Sequence, residues 1–186
     1  MDIFEAISTR RSIKAYTDRV VSDGEIRRIL DAAVHAPNHR LTQPWRFYVL
    51  GPQARAAYGR ALGHRKAKRV DEADAADAVV AKVEASHRTL PAMLAVSMML
   101  DENPEIREED FAATYMAIQN LSLAAHAIGL GTHVKTGAIM NDPAARRAVG
   151  VSDDERIIAT LSLGEPADLP PAKARHDAGE LTRWVS

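Results

Sequence analysis

The chain has 186 residues, with 24 Lys and Arg against 25 Asp and Glu, and this near-neutral balance argues against nucleic-acid binding through a broad basic surface. Hydrophobic residues make up 46% and charged residues 26%, a composition typical of a folded globular protein and not of a disordered chain. There is no Cys, which excludes disulfides, thiolate nucleophiles, zinc–thiolate sites and Cys-ligated iron–sulfur clusters, so any electron transfer needs an organic cofactor.

Two helices and a strand are predicted in the first 50 residues. Asp2 begins a D-x-x-E start signal for a short helix that reaches about Ser8. A capping box at Ser22-Asp23-Gly24-Glu25 precedes apolar residues at helical spacing, and Pro37 ends that helix at or just after His35. After a polar connection, the aromatic and β-branched residues 45–50 predict a strand.

The middle of the chain combines a charged helical segment with an apolar run. Residues 52–86 are Ala-rich and charged, which favours a solvated helical surface, with a mobile lid over a pocket as the alternative. Residues 92–100 predict a buried strand, although a buried helix has the same apolar pattern. The apolar stretch is well short of a membrane span and no secretory signal is visible, so we expect a soluble cytoplasmic protein with no membrane partner.

The last third is predicted to contain two further helices and two further strands. The longest helix candidate runs from Glu108 to Ile128 and is apolar on most sides, which indicates burial in the domain or against a second subunit. Strands follow at 132–136 and 157–163, separated by a small helix between Pro143 and Gly150. Helices that alternate with four strands predict an α+β or α/β class and a single domain over 1–186, with an arm from about 165.

Several common catalytic motifs are absent. There is no G-x-G-x-x-G dinucleotide fingerprint, no P-loop, no G-x-S-x-G elbow and no H-E-x-x-H pair. His35 and His39 have the i,i+4 spacing of a metal pair, but Pro37 lies between them, so the two rings are not expected to share a helix face. The sequence therefore predicts no metal site.

Two polar segments could bind a ligand. Arg10-Arg11-Ser12-Ile13-Lys14 places three positive charges and a hydroxyl within five residues, a composition suited to phosphate, although short basic runs are often merely solvated. The loop at 36–45, APNHRLTQPW, connects a helix to a core strand, where ligand-binding residues are common. Asn38 and His39 offer both hydrogen-bond donors and acceptors to a planar heterocycle.

These segments resemble the opening of the FMN-dependent nitroreductase family. The stretch RRSIKAYTDRVVSDGEIRRILDAAVHAPNHRLTQPWRFYVL (10–50) has the family's RRS, its acidic helix start and its loop closed by QPW, in that order. GLGTHVKTG (129–137) resembles the family's glycine-containing turn and flavin-facing strand, and PPAKAR (170–175) its phosphate-binding arm. The resemblance covers nearly the whole chain except about 53–86, and is nearest to the short bacterial NAD(P)H nitroreductase branch.

The resemblance implies a set of cofactor contacts. The basic segment would hold the FMN phosphate and ribityl chain, with Lys14 near the pyrimidine edge, and the arm would complete the phosphate clamp through Lys173 and Arg175. The loop would reach the flavin of the other subunit, and residues 124–129 match a stretch assigned to nicotinamide binding in the short branch. The implied cofactor-binding residues are Arg10, Arg11, Ser12, Lys14, His35, Pro37, Asn38, His39, Val134, Lys135, Thr136 and Arg175.

The resemblance also implies a fold and a reaction. The fold would be α+β of the nitroreductase type, with a central, mostly antiparallel sheet flanked by helices and an intertwined homodimer with two FMN sites. NADH or NADPH would reduce the flavin, and a nitroaromatic or quinone acceptor would reoxidise it in a ping-pong cycle without a protein nucleophile. The alternatives are another FMN chemistry, such as reductive dehalogenation or flavin fragmentation, and a non-catalytic flavin carrier or redox sensor.

Overall fold

A four-stranded antiparallel sheet forms the centre of the protein, whose computed structural model describes residues 1–186. Its strands lie in the order β1-β2-β4-β3 and every neighbouring pair is antiparallel, which selects the α+β class from the two that the sequence left open. The apolar run after residue 91 is a strand, as predicted. The strands are β1 (Trp45–Val49), β2 (Ala92–Met99), β3 (Gly131–Lys135) and β4 (Glu155–Gly164).

The chain forms seven α-helices. The capping box at Ser22 is present, and the cap at Asp142 with Pro143 and left-handed Gly150 bounds α6 as predicted. The long helix starts four residues before the predicted Glu108, because the Asn103 side chain accepts the Glu105 N–H. The helices are α1 (Ile3–Thr9), α2 (Asp23–Ala33), α3 (Pro52–Ala67), α4 (Ala73–Arg88), α5 (Pro104–Ala127), α6 (Pro143–Val149) and α7 (Ala178–Leu181).

Apolar side chains cover both faces of the sheet. Leu94 and Val96 of β2 face a core shared with α2 and α5, whereas Met93 and Ala95 face a second core shared with α3 and α6. Alternate residues of a strand point to opposite faces, so a strand covered on both sides is apolar at most positions instead of every second one. This double burial explains why β2 is apolar at every position except Ser97.

The segment predicted as one helical stretch is an antiparallel pair of helices. The chain turns between α3 and α4, and Gly63 lets the helices approach so closely that a Cβ there would lie 2.8 Å from Val80 Cα. The outer face is solvated, as predicted, and Glu84 forms ion pairs with Arg60 and Arg88 at 2.8 and 3.0 Å. The inner face buries Tyr58 against the second core, which favours a structural role for the pair over the alternative of a mobile lid.

The segment after α1 extends the sheet beyond its β3 edge. The Ile13 N–H donates to Thr132 O at 2.9 Å, and Ser12 and Thr132 form a parallel bridge. Gly131 is required for this approach, since a Cβ on it would lie 2.3 Å from Ile13 Cγ1. The start of the C-terminal arm pairs with the same segment through Ala167 N–H and Ala15 O at 3.1 Å. The segment after α1 and the start of the arm therefore lie together at one edge of the sheet.

Candidate functional site

A cavity of about 820 Å³ separates the segment after α1 from the C-terminal arm. The pairing of both segments at the β3 edge creates it, so the predicted phosphate segment and the predicted clamp face each other across one space. Its lining residues are Ile7, Ser8, Arg10, Arg11, Ser12, Lys14, Ala15, Asp168, Pro170, Pro171, Ala172, Lys173 and Arg175.

The charge of this cavity is strongly positive. Five of its side chains are Lys or Arg and one is acidic, Asp168, and none of the five takes part in an ion pair. Burial lowers the pKa of Arg10, and the nearby charges of Arg11 and Arg175 lower it further. Gathering five cations around one carboxylate is electrostatically unfavourable, and binding of an anion such as a phosphate removes the cost.

Arg11 is held by the backbone beside the cavity. Its Nη1 donates to Ser8 O at 2.7 Å and to Arg10 O at 2.9 Å. A guanidinium has five N–H donors, so these two bonds fix the side chain and leave other donors for a ligand. The donor set of Arg, Lys and Ser side chains fits the phosphate of FMN.

Arg10 and Arg11 also line a smaller cavity of about 360 Å³. It includes His126 and Gly129, which belong to the stretch matched to nicotinamide binding, and Thr132, whose Oγ1 is buried without a hydrogen-bond partner. His126 Nε2 lies 2.8 Å from Thr9 Oγ1. Burial lowers the pKa of His126, and the charges of Arg10 and Arg11 lower it further, so all three effects favour the neutral ring.

The predicted flavin-facing residues lie at the edge strand next to the basic segment. Val134 and Lys135 belong to β3 and are half-buried, whereas Thr136 follows the strand and is exposed. Burial lowers the pKa of Lys135, and the charge of Lys66 lowers it further. Lys66 was not among the predicted site residues, because it lies in the last turn of α3 and tertiary packing alone places it near β3.

The loop predicted to contact the flavin lies elsewhere in the same chain. His35 and Pro37 are exposed, and none of the four predicted loop residues lines either cavity. His39 Nδ1 lies 2.9 Å from Glu109 Oε2, near the start of α5. Asn38 uses most of its amide within the loop, since Nδ2 donates to Thr42 Oγ1 at 3.0 Å and Oδ1 accepts the Gln43 N–H at 2.6 Å.

The two halves of the predicted site are widely separated within one chain. The loop is fastened to α5 at Glu109, and the segment before Arg10 is fastened to the same helix at His126, 17 residues further along. At a rise of 1.5 Å per residue these anchors are about 25 Å apart. The halves also lie at opposite edges of the sheet, because the loop precedes β1 and the basic segment follows β3 in space.

The loop has an unusual backbone. Arg40, Leu41 and Gln43 have φ values of 62°, 53° and 44°, in the left-handed region that non-glycine residues rarely adopt. Such conformations cost on the order of 1–3 kcal/mol each and persist where surrounding contacts impose them. Thr42 Oγ1 is hydrogen-bonded to the carboxylate of Asp110, a buried residue of α5 that was not predicted from the sequence to belong to a site.

The fold and the cavity together define a class of protein: an α+β domain with a cationic cavity at a sheet edge, suited to a phosphorylated cofactor. No helix of the structure combines the length and the apolar character needed to cross a membrane. The sequence profile described as "Nitroreductase family" matches residues 7–165. The chain therefore belongs to the nitroreductase family, as its motifs predicted.

Relatives with known sequences and structures agree with this assignment. YfhC of Bacillus subtilis, provisionally named an NAD(P)H nitroreductase, is 34% identical over 174 residues, which cover 92% of this chain and 88% of YfhC. The crystal structure of a nitroreductase-like family protein from Bacillus cereus has a TM-score of 0.86 at 26% identity, covering 100% of this chain and 96% of that chain. A Desulfovibrio desulfuricans protein crystallised with FMN has a TM-score of 0.73 at 28% identity, covering 98% and 96%.

Proposed function

We propose that this protein is an FMN-dependent NAD(P)H oxidoreductase that reduces nitroaromatic or quinone-like electron-poor acceptors. The observation that carries the proposal is the cavity in which Arg10, Arg11, Lys173 and Arg175 gather, with Asp168 as the one acidic residue of the lining. Its position in a nitroreductase-family chain, and the FMN bound by the Desulfovibrio relative, support FMN as the occupant. The NAD(P)H nitroreductase name of YfhC supports the electron donor.

The cavity residues, and Lys135 of the neighbouring strand, have separate roles toward this cofactor. The three arginines and Lys173 neutralise the phosphate, and Ser12 adds a hydroxyl hydrogen bond. Lys14 and Lys135 favour negative charge at the pyrimidine edge of the flavin, and half-burial of Lys135 strengthens its effect because the local dielectric constant is lower than in water. FMN, when bound, supplies hydride acceptance from NAD(P)H and electron delivery to the acceptor, so no protein nucleophile is needed.

We also propose that the protein is a homodimer whose sites are shared between subunits. About 25 Å along α5 separates the loop at 38–43 from the basic segment, more than one FMN spans. In a homodimer, the loop of the partner subunit would contact the FMN that the basic segment of this subunit binds. Phe4 and Ile7 on α1 are exposed apolar residues that a partner could cover, and Trp184 of the arm is 96% exposed.

Steady-state kinetics test the proposed reaction. Initial rates are measured against NADH or NADPH at several fixed concentrations of a nitroaromatic or quinone. The proposal predicts parallel lines in double-reciprocal plots, because donor and acceptor use one site in turn. Bound FMN that NAD(P)H reduces but no acceptor reoxidises identifies a carrier or redox sensor instead. Release of halide from a halogenated acceptor, or loss of the flavin itself, identifies one of the other chemistries of this fold.

A further inference from the structure

We propose that Thr42 and Asp110 are positioning residues that hold the loop at 38–43 in the conformation that the shared site requires. The inference rests on the proposed function, because it concerns how this loop is presented to a cofactor bound by the partner subunit. Neither residue lines a cavity in its own chain. Both act through other loop residues.

A directional chain of hydrogen bonds connects α5 to the loop. Asn38 Nδ2 donates to Thr42 Oγ1 at 3.0 Å, and the Thr42 hydroxyl is also within hydrogen-bond distance of Asn38 Oδ1 and of the Asp110 carboxylate. A hydroxyl has one proton to donate, and an ionised carboxylate is a stronger acceptor than an amide oxygen. The Thr42 proton therefore goes to Asp110, and the Asn38 amide is oriented with Nδ2 toward Thr42.

Because Asp110 is buried, its carboxylate depends on the hydrogen bond from Thr42. The residue is 3% exposed and forms no ion pair. A buried carboxylate without a cation is costly unless donors satisfy it, and the Thr42 hydroxyl is the side-chain donor that it receives. Asp110 therefore fixes the position of Thr42 more firmly than an exposed acceptor would.

The strained residues lie around this anchor. Arg40 and Leu41 precede Thr42 and Gln43 follows it, and all three have positive φ. Leu41 is 76% exposed, so its own packing does not hold it in the left-handed region. The Gln43 N–H is bound by Asn38 Oδ1 at 2.6 Å. The hydrogen-bond chain from Asp110 thus imposes the strained conformation from both sides of Thr42.

The outer face of the loop is held separately and more weakly. His39 Nδ1 and Arg40 Nε lie 2.9 and 3.7 Å from Glu109 Oε2, on partly exposed side chains. With Nδ1 engaged by Glu109, Nε2 of His39 is left for a ligand. Neighbouring residues of α5 therefore perform different tasks, since Glu109 orients the ring of His39 and Asp110 sets the backbone that carries it.

The test compares variants at Thr42 in the full-length protein. Thr42→Val keeps the shape and removes the hydroxyl, and Thr42→Ser restores it. We expect Thr42→Val to weaken the FMN dissociation constant at least fivefold and to change the visible circular dichroism of the bound flavin, while Thr42→Ser matches the parent on both readouts. Ser97→Ala, which removes another buried hydroxyl–carboxylate bond outside the loop, is the matched control. It should lower thermal stability and leave both flavin readouts unchanged.

A second variant keeps the test decisive. Leu41→Gly relieves the cost of a positive φ, so in the Thr42→Val background it should recover at least half of the lost FMN affinity. Asp110→Asn, with a weaker neutral acceptor, should fall between Thr42→Val and the parent. If Thr42→Val destabilises the protein too much to purify, the same comparison is made with Asp110→Asn and its Leu41→Gly double variant.

The results separate this inference from the proposed function. A parent protein that binds no FMN contradicts the proposed function itself. A parent that binds FMN, combined with a Thr42→Val or Asp110→Asn variant whose affinity and flavin spectrum equal those of the parent, overturns the positioning role alone. Failure of Leu41→Gly to restore affinity to a weakened variant also overturns the positioning role.

Discussion

Thr9 Oγ1 lies 2.8 Å from His126 Nε2, and this contact fastens the basic segment to the last turn of α5. The hydroxyl also donates to Glu5 O within α1, so the His126 ring donates from Nε2 to Thr9. Arg10 follows directly and lines both cavities. The contact explains how a short basic segment at a chain end acquires a fixed geometry.

Arg10→Ala is expected to lose FMN. Removing a charge-assisted phosphate contact costs roughly 1.5–3 kcal/mol, which is about 10- to 150-fold in affinity. The variant should purify with little flavin and recover activity when FMN is added. Arg183→Ala, in the exposed part of the arm, is the control and should keep its flavin. If absorbance after gel filtration shows that Arg10→Ala retains one FMN per site, Arg10 does not hold the phosphate.

Complementation between two inactive variants tests the shared site. Arg10→Ala damages the cavity of its own chain, and His39→Ala damages the loop that would serve the partner's cavity. A heterodimer of the two has one site with both defects and one site with neither. Co-expressed chains with different affinity tags should therefore yield purified heterodimers with about half the parent activity, by the site count that the geometry implies. Heterodimers as inactive as either homodimer would show that sites are not shared.

Lys14→Met and Lys135→Met test electrostatic tuning of the flavin. Two-electron reduction adds negative charge near the pyrimidine edge, so loss of a nearby cation should lower the midpoint potential. An interaction of about 1.4 kcal/mol corresponds to about 30 mV for two electrons. Lys82→Met, on the exposed face of α4, is the control. If both site variants, measured with FMN bound, have the midpoint potential of the parent, the lysines do not tune the flavin. Backbone N–H groups of β3 then become the candidates for this tuning.

Glu155 is expected to make stability depend on pH. Burial alone would raise the pKa of this carboxyl, but hydrogen bonds from Ser97, Tyr48 and Ser152 outweigh burial and hold the pKa below its ordinary value. A lowered folded-state pKa stabilises the protein at neutral pH, and this contribution is lost as the pH falls below about 5.

The corresponding measurement is urea unfolding of Glu155→Gln at several pH values. At pH 7 the free energy of unfolding should be about 1–3 kcal/mol lower than in the parent, and the difference should shrink toward pH 4. Exposed Glu102→Gln is the control and should follow the parent. A Glu155→Gln deficit that is constant across the pH range would assign the effect to packing instead of charge.

The contact between α3 and α4 predicts a sharp cost for a methyl group. Gly63→Ala would place Cβ 2.8 Å from Val80 Cα and 3.1 Å from Val80 O, so the helices must separate. We expect a loss of about 1–3 kcal/mol in unfolding free energy. Gly24→Ala in α2, where the nearest atom is 4.0 Å from the added Cβ, should be neutral or slightly stabilising. Equal effects of the two substitutions would disprove close packing as the cause.

Much of the fold could be predicted from local signals. Ser22 and Asp142 predict the starts of their helices, because capping depends on residues within one helical turn. The start of α5 has a comparable signal at Asn103-Pro104, although the helix was predicted to begin later. The turn between α3 and α4 contains no Gly or Pro, so local signals do not mark it. Gly59 and Gly63 lie one helical turn apart in α3. This pair of small residues is the sequence signal that indicates a close contact with a second helix.

The site was predictable only where it follows from charge and motif. The basic segment and the arm are far apart in sequence, and their resemblance to one family's motifs placed them together. The sequence does not predict a role for Asp110, because a carboxylate near the start of a charged helix normally faces solvent. The burial of Asp110 depends on where the loop packs. The sequence does not predict the positive φ of Leu41 either, because tertiary contacts impose this conformation against the intrinsic preference of the residue.

The most direct test of the proposed flavin reductase activity is anaerobic titration of the purified holoprotein with NADH and with NADPH, followed by a nitroaromatic or quinone acceptor. We predict that at least one nucleotide bleaches the bound flavin with one equivalent per FMN and that the acceptor restores the oxidised spectrum. A protein that retains no FMN, or whose bound FMN is bleached by neither nucleotide, would contradict this activity.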